Sequence, residues 1–173
     1  HWKDLVPHEA GRLVLGIQVT ANYLVRLERV DGLPQIIVRE WASGNEHAIA
    51  IEEEAYSLGL GGSLEFDTPA LRFVYSSMTT PSETYDYDMG SRARTLLKRQ
   101  EVPSGHNPDD YVTRRILAPA ADGELVPVTL VHRKDTKLPA PTLLYGYGSY
   151  GISLPSSFGI VRLSLVERGF VWA

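Results

Sequence analysis

Short β runs broken by turn residues occupy the chain from Arg12 to about Arg99. Seven of these runs are RLVLGIQVT, NYLVRLERV, QIIVREW, AYSLGL, LRFVYSS, ETYDYDM and ARTLLKR. The segments between them are rich in Gly, Pro, Asn, Asp and Ser, which favour turns. No convincing helix interrupts this half. Strands at spacings of roughly ten residues predict an antiparallel sandwich, barrel or propeller.

A faint internal repeat favours the propeller. LVRLERVDGLPQIIVREW and LRFVYSSMTTPSETYDYDM each read as strand, turn with proline and strand, roughly 48 positions apart, close to the period of a four-stranded blade. Asp31-Gly32 predicts a hairpin between two of the runs, because glycine adopts positive φ without a Cβ penalty. Two blades cannot close a ring, so a propeller requires further sequence. An unrelated β meander is the alternative.

The pattern changes after a polar segment from Val102 to Asp110, which contains two prolines and a glycine and resembles a linker. Beyond it, YVTRRILAP and LVPVTLVHR flank Asp122-Gly123 and predict a strand pair. PTLLYGYG follows as a short apolar strand, and FVWA begins another at the end of the chain. An antiparallel pair followed by strand, helix and strand is typical of the opening of an α/β domain.

The helix of this second part is predicted to open at Ser156 or Ser157. Its apolar face would carry three residues, Phe158, Val161 and Leu165. Arg168 would lie in its last turn and Gly169 at its C-cap, since positive charge and glycine both favour helix C-termini.

Composition narrows the possible functions. The 173 residues are 43% hydrophobic and 22% charged, which is typical of a soluble globular protein. A formal net charge of −4 and the absence of a basic run exclude a nucleic-acid groove. No apolar run approaches a membrane span, and HWKDLVPHEA does not resemble a signal peptide, so we expect no membrane partner.

Cysteine is absent, which excludes disulfides, thiolate metal sites and a cysteine nucleophile. The compartment is left open, but a reducing cytoplasm is compatible, and we expect a cytoplasmic protein. The chain starts at His1 without an initiator methionine and stops at Ala173 within an apparent strand. We therefore expect it to be an internal piece of a longer protein.

A literal G-x-G-x-x-G lies in TLLYGYGSYGISLPSS, at Gly146, Gly148 and Gly151. A dinucleotide turn needs its helix to begin within the glycine motif, so that the helix N-terminus faces the pyrophosphate. Here four residues ending in Pro155 intervene before any helix, and bulky Tyr147 separates the first two glycines. We conclude that the motif does not bind a nucleotide.

The same segment does not supply a serine nucleophile. Tyr147 replaces the first glycine of the G-x-S-x-G elbow around Ser149, and the last histidine, His132, precedes this serine. An α/β-hydrolase triad runs in the order Ser, acid, His, so no complete triad is present. The five histidines show no metal-ligand spacing, and we predict neither a metal nor a cofactor. The charged clusters are interpreted as solvated strand ends and turns: Glu52 to Glu54, Asp109-Asp110 and Arg114-Arg115.

Several segments in their order identify a family resemblance. FVYSSMTTPSETYDYDM, LKRQEVPSG, DGELVPVTLVHRKD, PTLLYGYGSYGISL and FGIVRLSLVERGFVWA resemble the prolyl oligopeptidase family of serine peptidases, and most closely its oligopeptidase B branch. The resemblance implies a mixed fold. Residues 1–107 would form the last blades of a β-propeller, and residues 108–173 the first strands and helix of an α/β-hydrolase domain.

The resemblance also implies roles for two tyrosines. Tyr147, the second tyrosine of YGYG, would stabilise the oxyanion of the tetrahedral intermediate, and Tyr150 would help to line the substrate pocket. The implied substrates are short peptides cut after Arg or Lys, and the remainder of the polypeptide would supply the Ser-Asp-His triad. The segment alone would then be inactive. A prolyl-specific oligopeptidase and a non-catalytic β-rich interaction module are the alternatives.

Overall fold

Three four-stranded sheets make up the fold, which a computed structural model describes over all 173 residues. The first two are antiparallel and pair their strands in chain order. They are built from β1 (Arg12–Val19), β2 (Tyr23–Val30), β3 (Leu33–Glu40) and β4 (Glu46–Ala48), then from β5 (Tyr56–Leu60), β6 (Ala70–Ser77), β7 (Glu83–Asp88) and β8 (Arg94–Arg99). This is the architecture of two propeller blades. The seven predicted runs are confirmed, and three-residue β4 is an addition.

The hairpin between β2 and β3 shows how the sequence fixes the first sheet. Val30 pairs with Leu33 across a two-residue turn, in which Asp31 has φ 50° and Gly32 has φ 79°. Positive φ at both turn positions matches the right-handed twist of the flanking strands. The Asp-Gly prediction is therefore confirmed.

One hydrophobic core joins the two blade sheets, and we call β1 to β8 the blade region. Alternate residues of its strands point inward, so that the apolar positions of neighbouring strands meet in one layer. Phe73 is fully buried and stacks on Tyr85 with ring centroids 5.4 Å apart. The core contains nine buried residues from both sheets: Val25, Ile36, Val38, Ile49, Leu58, Leu71, Phe73, Tyr87 and Met89.

The third sheet and its helix form the mixed-sheet region, which runs from Tyr111 to Ala173. Its strands are β9 (Tyr111–Pro119), β10 (Leu125–Arg133), β11 (Thr142–Leu143) and β12 (Val171–Trp172), in the spatial order β11-β12-β10-β9. β9, β10 and β12 are antiparallel neighbours, whereas β11 and β12 are parallel. Gly123, with φ 89°, closes the β9–β10 hairpin. The predicted strand pair and both short strands are confirmed.

The helix α1 (Ile160–Val166) differs from its prediction in start and in face. Ser156, Ser157 and Phe158 precede it, and Gly159 is its N-cap, with an extended backbone at φ −147° and ψ 112°. The Phe158 amide donates to Ser76 Oγ at 2.9 Å. Leu163 and Val166 are the buried positions, while Val161 is 84% exposed. Positions two apart in sequence differ by about 200° around a helix, so Val161 lies on the opposite face from Leu163.

The glycine predicted to end α1 is confirmed, but Arg168 is not in the last turn as predicted, because the helix already ends at Val166. Gly169 has φ 86°, and its amide donates to the Val166 carbonyl at 3.0 Å. The next amide, that of Phe170, donates to the Leu165 carbonyl at 3.2 Å. This pair of bonds is the Schellman arrangement, which satisfies carbonyls that the helix leaves unpaired and turns the chain toward β12. No helix of the structure has the length and the apolar run that crossing a bilayer requires.

Candidate functional site

A cleft of about 870 Å³ lies between the blade region and the mixed-sheet region. The turn between β2 and β3 and Met78, just after β6, form its blade side. Its other sides are formed by the β9–β10 hairpin, by residues 144–147 and 152–157, by Arg162 of α1 and by Trp172 of β12. Clefts between structural units are common ligand sites, so this cleft is the candidate functional site.

Tyr147 lies on the wall of this cleft, two residues beyond the point where the loop leaves the sheet. The loop starts in register with β12, because Tyr145 N–H donates to the Ala173 carbonyl at 2.8 Å and Ala173 N–H donates to the Leu143 carbonyl at 2.9 Å. The Tyr147 side chain is 47% exposed. An exposed phenol on a fixed strand end can donate a hydrogen bond to a group bound in the cleft.

Tyr150 does not line the cleft. It belongs to a short 3-10 turn over Ser149–Gly151, is 94% exposed, and has φ 58° and ψ 28°. A bulky residue with positive φ is an outlier that surrounding structure must hold in place. The structure thus places the two candidate tyrosines on one loop but does not bring them together on the cleft wall.

The cleft wall carries positive charge only. Arg115 and Arg162 line it, and no aspartate, glutamate or histidine does. The wall therefore offers hydrogen-bond donors and apolar surface but no group suited to general acid or base catalysis near neutral pH. Three serines, Ser153, Ser156 and Ser157, are among its residues.

The histidines make their hydrogen bonds elsewhere. His47 contacts the Tyr87 hydroxyl at 2.8 Å, His106 the Thr79 carbonyl at 2.5 Å and His132 the Arg133 carbonyl at 2.7 Å. None of these partners is a serine or a carboxylate, as a catalytic triad requires. No group of three or more His, Cys, Asp or Glu side chains could hold a metal ion.

Ionic contacts join the two regions beside the cleft. Glu54 accepts from Arg114 Nη1 and from the Arg115 backbone N–H, both at 3.0 Å. These bonds, the backbone one foremost, lower the pKa of Glu54. Arg115 also donates to the Asp31 carbonyl of the β2–β3 turn. Asp109 and Asp110 are exposed as predicted, and so are Glu54 and Arg114, which in addition form a contact between the two regions.

Glu53, in the blade region, is a member of the Glu52 to Glu54 cluster that is not simply solvated. Its carboxylate accepts from the hydroxyls of Tyr75 and of Thr80, the latter at 2.9 Å. Burial and the neighbouring Glu53 raise the pKa of Tyr75, so this hydroxyl stays protonated and continues to donate. Sequence patterns alone do not distinguish such a carboxylate from its solvated neighbour Glu52.

Arg162 is a site residue that the sequence patterns missed. Its Nη1 donates to the Ser157 carbonyl at 2.6 Å and lies 2.9 Å from Met78 Sδ, and its Cζ lies 5.1 Å from the centroid of the Trp172 ring. Its buried Nε has no hydrogen-bond partner. The available signal was a single arginine within an apolar helix, IVRLSLV.

A smaller cavity of about 260 Å³ lies in the blade region, beneath the segment from Leu5 to Glu9. Its charged walls include Arg26 and Glu46, which form a bidentate ion pair with both N–O distances 2.8 Å. These groups satisfy one another, so we assign no ligand to this cavity.

Comparisons with known proteins extend over the whole chain. Residues 1–100 match the model of the prolyl oligopeptidase N-terminal beta-propeller domain. Dipeptidyl aminopeptidase BI from Pseudoxanthomonas mexicana is 42% identical over 99% of this chain and 24% of its own length. Protease 2 from Moraxella lacunata is 30% identical over 98% of this chain and 24% of its own length. The chain thus spans about a quarter of these curated relatives.

The structural comparison covers both regions. Oligopeptidase B from Trypanosoma brucei, solved in a closed form with covalently bound antipain, superposes with a TM-score of 0.89 at 34% identity. The match covers 97% of this chain and 25% of that chain. The arrangement of the blade region beside the mixed-sheet region is therefore similar to that in the solved enzyme.

Proposed function

The chain belongs to the prolyl oligopeptidase family, and from this we propose that it is a segment of a serine oligopeptidase that cuts short peptides, in which Tyr147 stabilises the oxyanion. The observation that carries the proposal is the superposition of 97% of the chain on an oligopeptidase B. The nucleophile and its base would come from the remainder of the polypeptide, since no triad exists here.

We place the boundary between the two domains at residues 107 and 108. Residues 1–107 would be the last blades of the propeller, and residues 108–173 the beginning of an α/β-hydrolase domain. Two observations support this division. The family model of the propeller ends at residue 100, and the parallel pair β11–β12 with α1 between its strands first appears after Tyr111.

Tyr147 would act when the serine attacks the scissile carbonyl. The carbonyl oxygen gains negative charge as the tetrahedral intermediate forms, and a phenol already aimed at that position stabilises the charge without reorganisation. One such donor is typically worth about 10²–10³ in kcat, or roughly 2.7–4 kcal/mol. The half-exposed position of Tyr147 on the cleft wall supports this role.

The test is Tyr147→Phe in the full-length enzyme. We expect kcat to fall by about 10²–10³ with a peptide amide that carries arginine at the cleavage position, because Phe keeps the ring and removes only the donor. Tyr145→Phe is the matched control, since Tyr145 lies on the same loop and is similarly exposed, at 55%. A loss below about threefold for Tyr147→Phe would exclude the oxyanion role.

Substrate preference is a separate part of the proposal. Similarity to oligopeptidase B favours cleavage after Arg or Lys, whereas the relative at 42% identity is named as a dipeptidyl aminopeptidase. Peptide amides ending in Arg, Lys or Pro, each with a free and a blocked amino terminus, separate these activities. We expect turnover of the blocked Arg and Lys amides. Cleavage restricted to free dipeptide amides would favour dipeptide release, and cleavage only after Pro would favour the prolyl-specific alternative.

The isolated chain of residues 1–173 should not hydrolyse peptides, because its serines lack a histidine partner. Incubation of the purified segment with the arginine amide tests this expectation. Turnover that a serine-directed inhibitor abolishes would contradict the assignment of the triad to the remainder of the polypeptide. We also propose that Tyr150, which is 94% exposed on the same loop as Tyr147, contacts the substrate.

A further inference from the structure

Arg162 lies where three parts of the structure meet. Met78 contacts it from the blade region, Trp172 from β12, and Ser157 from the end of the loop that carries Tyr147. This loop leaves the sheet at Tyr145 and reaches α1 after Ser157. The Arg162 guanidinium therefore contacts the Ser157 end of the loop directly, and it is linked to the Tyr145 end through Trp172.

The contact with the near end runs through an aromatic ring. The guanidinium lies over Trp172, and the Trp172 ring lies 6.1 Å from that of Tyr145, with a tilt of 46° between their planes. Tyr145 is also held to Ala173 by its backbone N–H. Tyr147 follows two residues later, so displacement of Trp172 would be transmitted to the start of the segment that carries the phenol.

The chemistry around Arg162 is unusual for a packed arginine. No carboxylate contacts it, and burial lowers the pKa of its guanidinium, although an arginine remains charged near neutral pH. A carbonyl, a thioether and an indole ring face the charge instead. An uncompensated cation in this position is unfavourable for stability alone, and an apolar side chain would fill the space at less desolvation penalty.

We propose that Arg162 is a positioning residue for Tyr147, which fixes both ends of the Tyr147 loop against the blade region. The inference rests on the proposed oxyanion role of Tyr147. The guanidinium donates to Ser157 through Nη1 while its charge lies over Trp172. An ammonium with its single nitrogen, or an uncharged thioether, does not reproduce both contacts from the same positions. Loss of Arg162 would misplace the phenol, and errors of about 1 Å can reduce a rate by about 10²-fold.

The test measures kcat and KM in the full-length enzyme for Arg162→Met, Arg162→Lys, Tyr147→Phe and the Arg162→Met/Tyr147→Phe double variant. We expect Arg162→Met to lower kcat about tenfold with KM changed less than twofold. Arg162→Lys should have a kcat between those of wild type and Arg162→Met. If the Met variant does not fold, the kcat of the Lys variant tests the proposal. In the Tyr147→Phe background, Arg162→Met should change kcat less than twofold, since residues that act as a unit are not additive.

Arg168→Met is the matched control, because Arg168 follows the same helix, is exposed, and donates only to the Ser164 carbonyl at 3.1 Å. It should leave kcat unchanged. A large effect of Tyr147→Phe with an additive or silent Arg162→Met would overturn the positioning role and leave the proposed function standing. A silent Tyr147→Phe would overturn the proposed function, and with it this inference, whatever the effect of Arg162→Met.

Discussion

The blade region and the mixed-sheet region each enclose an arginine, and they satisfy it differently. In the blade region, Arg26 Nε donates to Glu28 Oε1 at 2.7 Å, and its two terminal nitrogens bind Glu46. Hydrogen bonds to Glu46, and then to Glu28, raise the pKa of Arg26 despite the opposing effect of burial. In the mixed-sheet region, Arg162 has no carboxylate, and burial lowers its pKa.

This difference separates a structural charge from a functional one. Both carboxylates that bind Arg26, Glu28 and Glu46, lie on strands of the same sheet, so these ion pairs stabilise a single blade. The contacts of Arg162 come from the blade region, the Tyr147 loop and β12. Arg162 is therefore less well compensated for burial than Arg26, but it contacts more separate parts of the structure. Substitutions should therefore affect folding in the first case and catalysis in the second.

The largest effect on stability is expected for Arg26→Met. The side chains of Arg26 and Glu28 are each only 4% exposed, so the substitution leaves a buried carboxylate without its partner. Removing one member of a buried ion pair typically costs about 3–5 kcal/mol. Urea unfolding of the full-length protein, followed by circular dichroism, should show a loss of this size in the transition of the blade region.

Arg72→Met is the control for this measurement. Arg72 also binds one carboxylate, Asp86, through two nitrogens at 2.8 and 2.9 Å, but its side chain is 50% exposed. Exposed pairs contribute about 0–1 kcal/mol. If the two substitutions destabilise equally, burial does not distinguish the two ion pairs, and the comparison between structural and functional arginines loses its basis.

The pH dependence of stability sharpens the same contrast. Hydrogen bonds from Arg26 lower the pKa of Glu46 in the folded state. A depressed carboxyl pKa contributes stability that is present above the unfolded value of about 4.3 and is lost as pH falls through the folded value. The stability difference between wild type and Arg26→Met should thus be largest near pH 7 and should narrow as the pH falls below about 4.

Urea titrations of both proteins at several pH values from 7 to about 3 measure this narrowing. Arg162→Met provides the comparison, because no carboxylate faces Arg162 and its effect on stability should not follow the protonation of a neighbouring acid. If the stability difference between wild type and Arg26→Met stays constant over this pH range, the pKa of Glu46 does not depend on Arg26.

The blades could be predicted from the sequence because their determinants are local. Alternating apolar residues and an Asp-Gly turn define β2 and β3 without reference to distant residues. The strand β4 was missed because three residues are too few for an alternation. The helix face was wrong because Leu163 and Val166 pack in one cluster with Met78 and Tyr111, residues far apart from them in the sequence.

The site shows the same limit more clearly. Tyr147 was chosen from a family resemblance, and its place on the cleft wall is consistent with the proposed role without testing it. The contacts of Arg162 and Glu54 could not be predicted from the sequence, because they join residues of the two separate regions. A hydrophobic pattern encodes which residues are buried within an element, whereas these contacts depend on how separate elements meet.

The smallest expected effect, and one of opposite sign, is that of Tyr150→Gly. Tyr150 is 94% exposed, so little packing is lost, and its φ of 58° is unfavourable for any residue with a Cβ. Relief of about 1–2 kcal/mol, set against about 0.5–1 kcal/mol of added glycine entropy, should stabilise the protein by roughly 0.5–1 kcal/mol. The control Ile152→Gly, at φ −76° and ψ 129° and 51% exposed, should instead destabilise it by about 0.5–1 kcal/mol.

If Tyr150 contacts the substrate as proposed, the same Tyr150→Gly variant should show a raised KM. A variant that is more stable but binds substrate less well would show that Tyr150, like Arg162, serves function at the expense of stability. A stabilised variant with unchanged KM would remove Tyr150 from the substrate pocket. A destabilised variant would mean that the loop needs this side chain for its own conformation, and the contrast with the self-contained blade region would then rest on Arg162 alone.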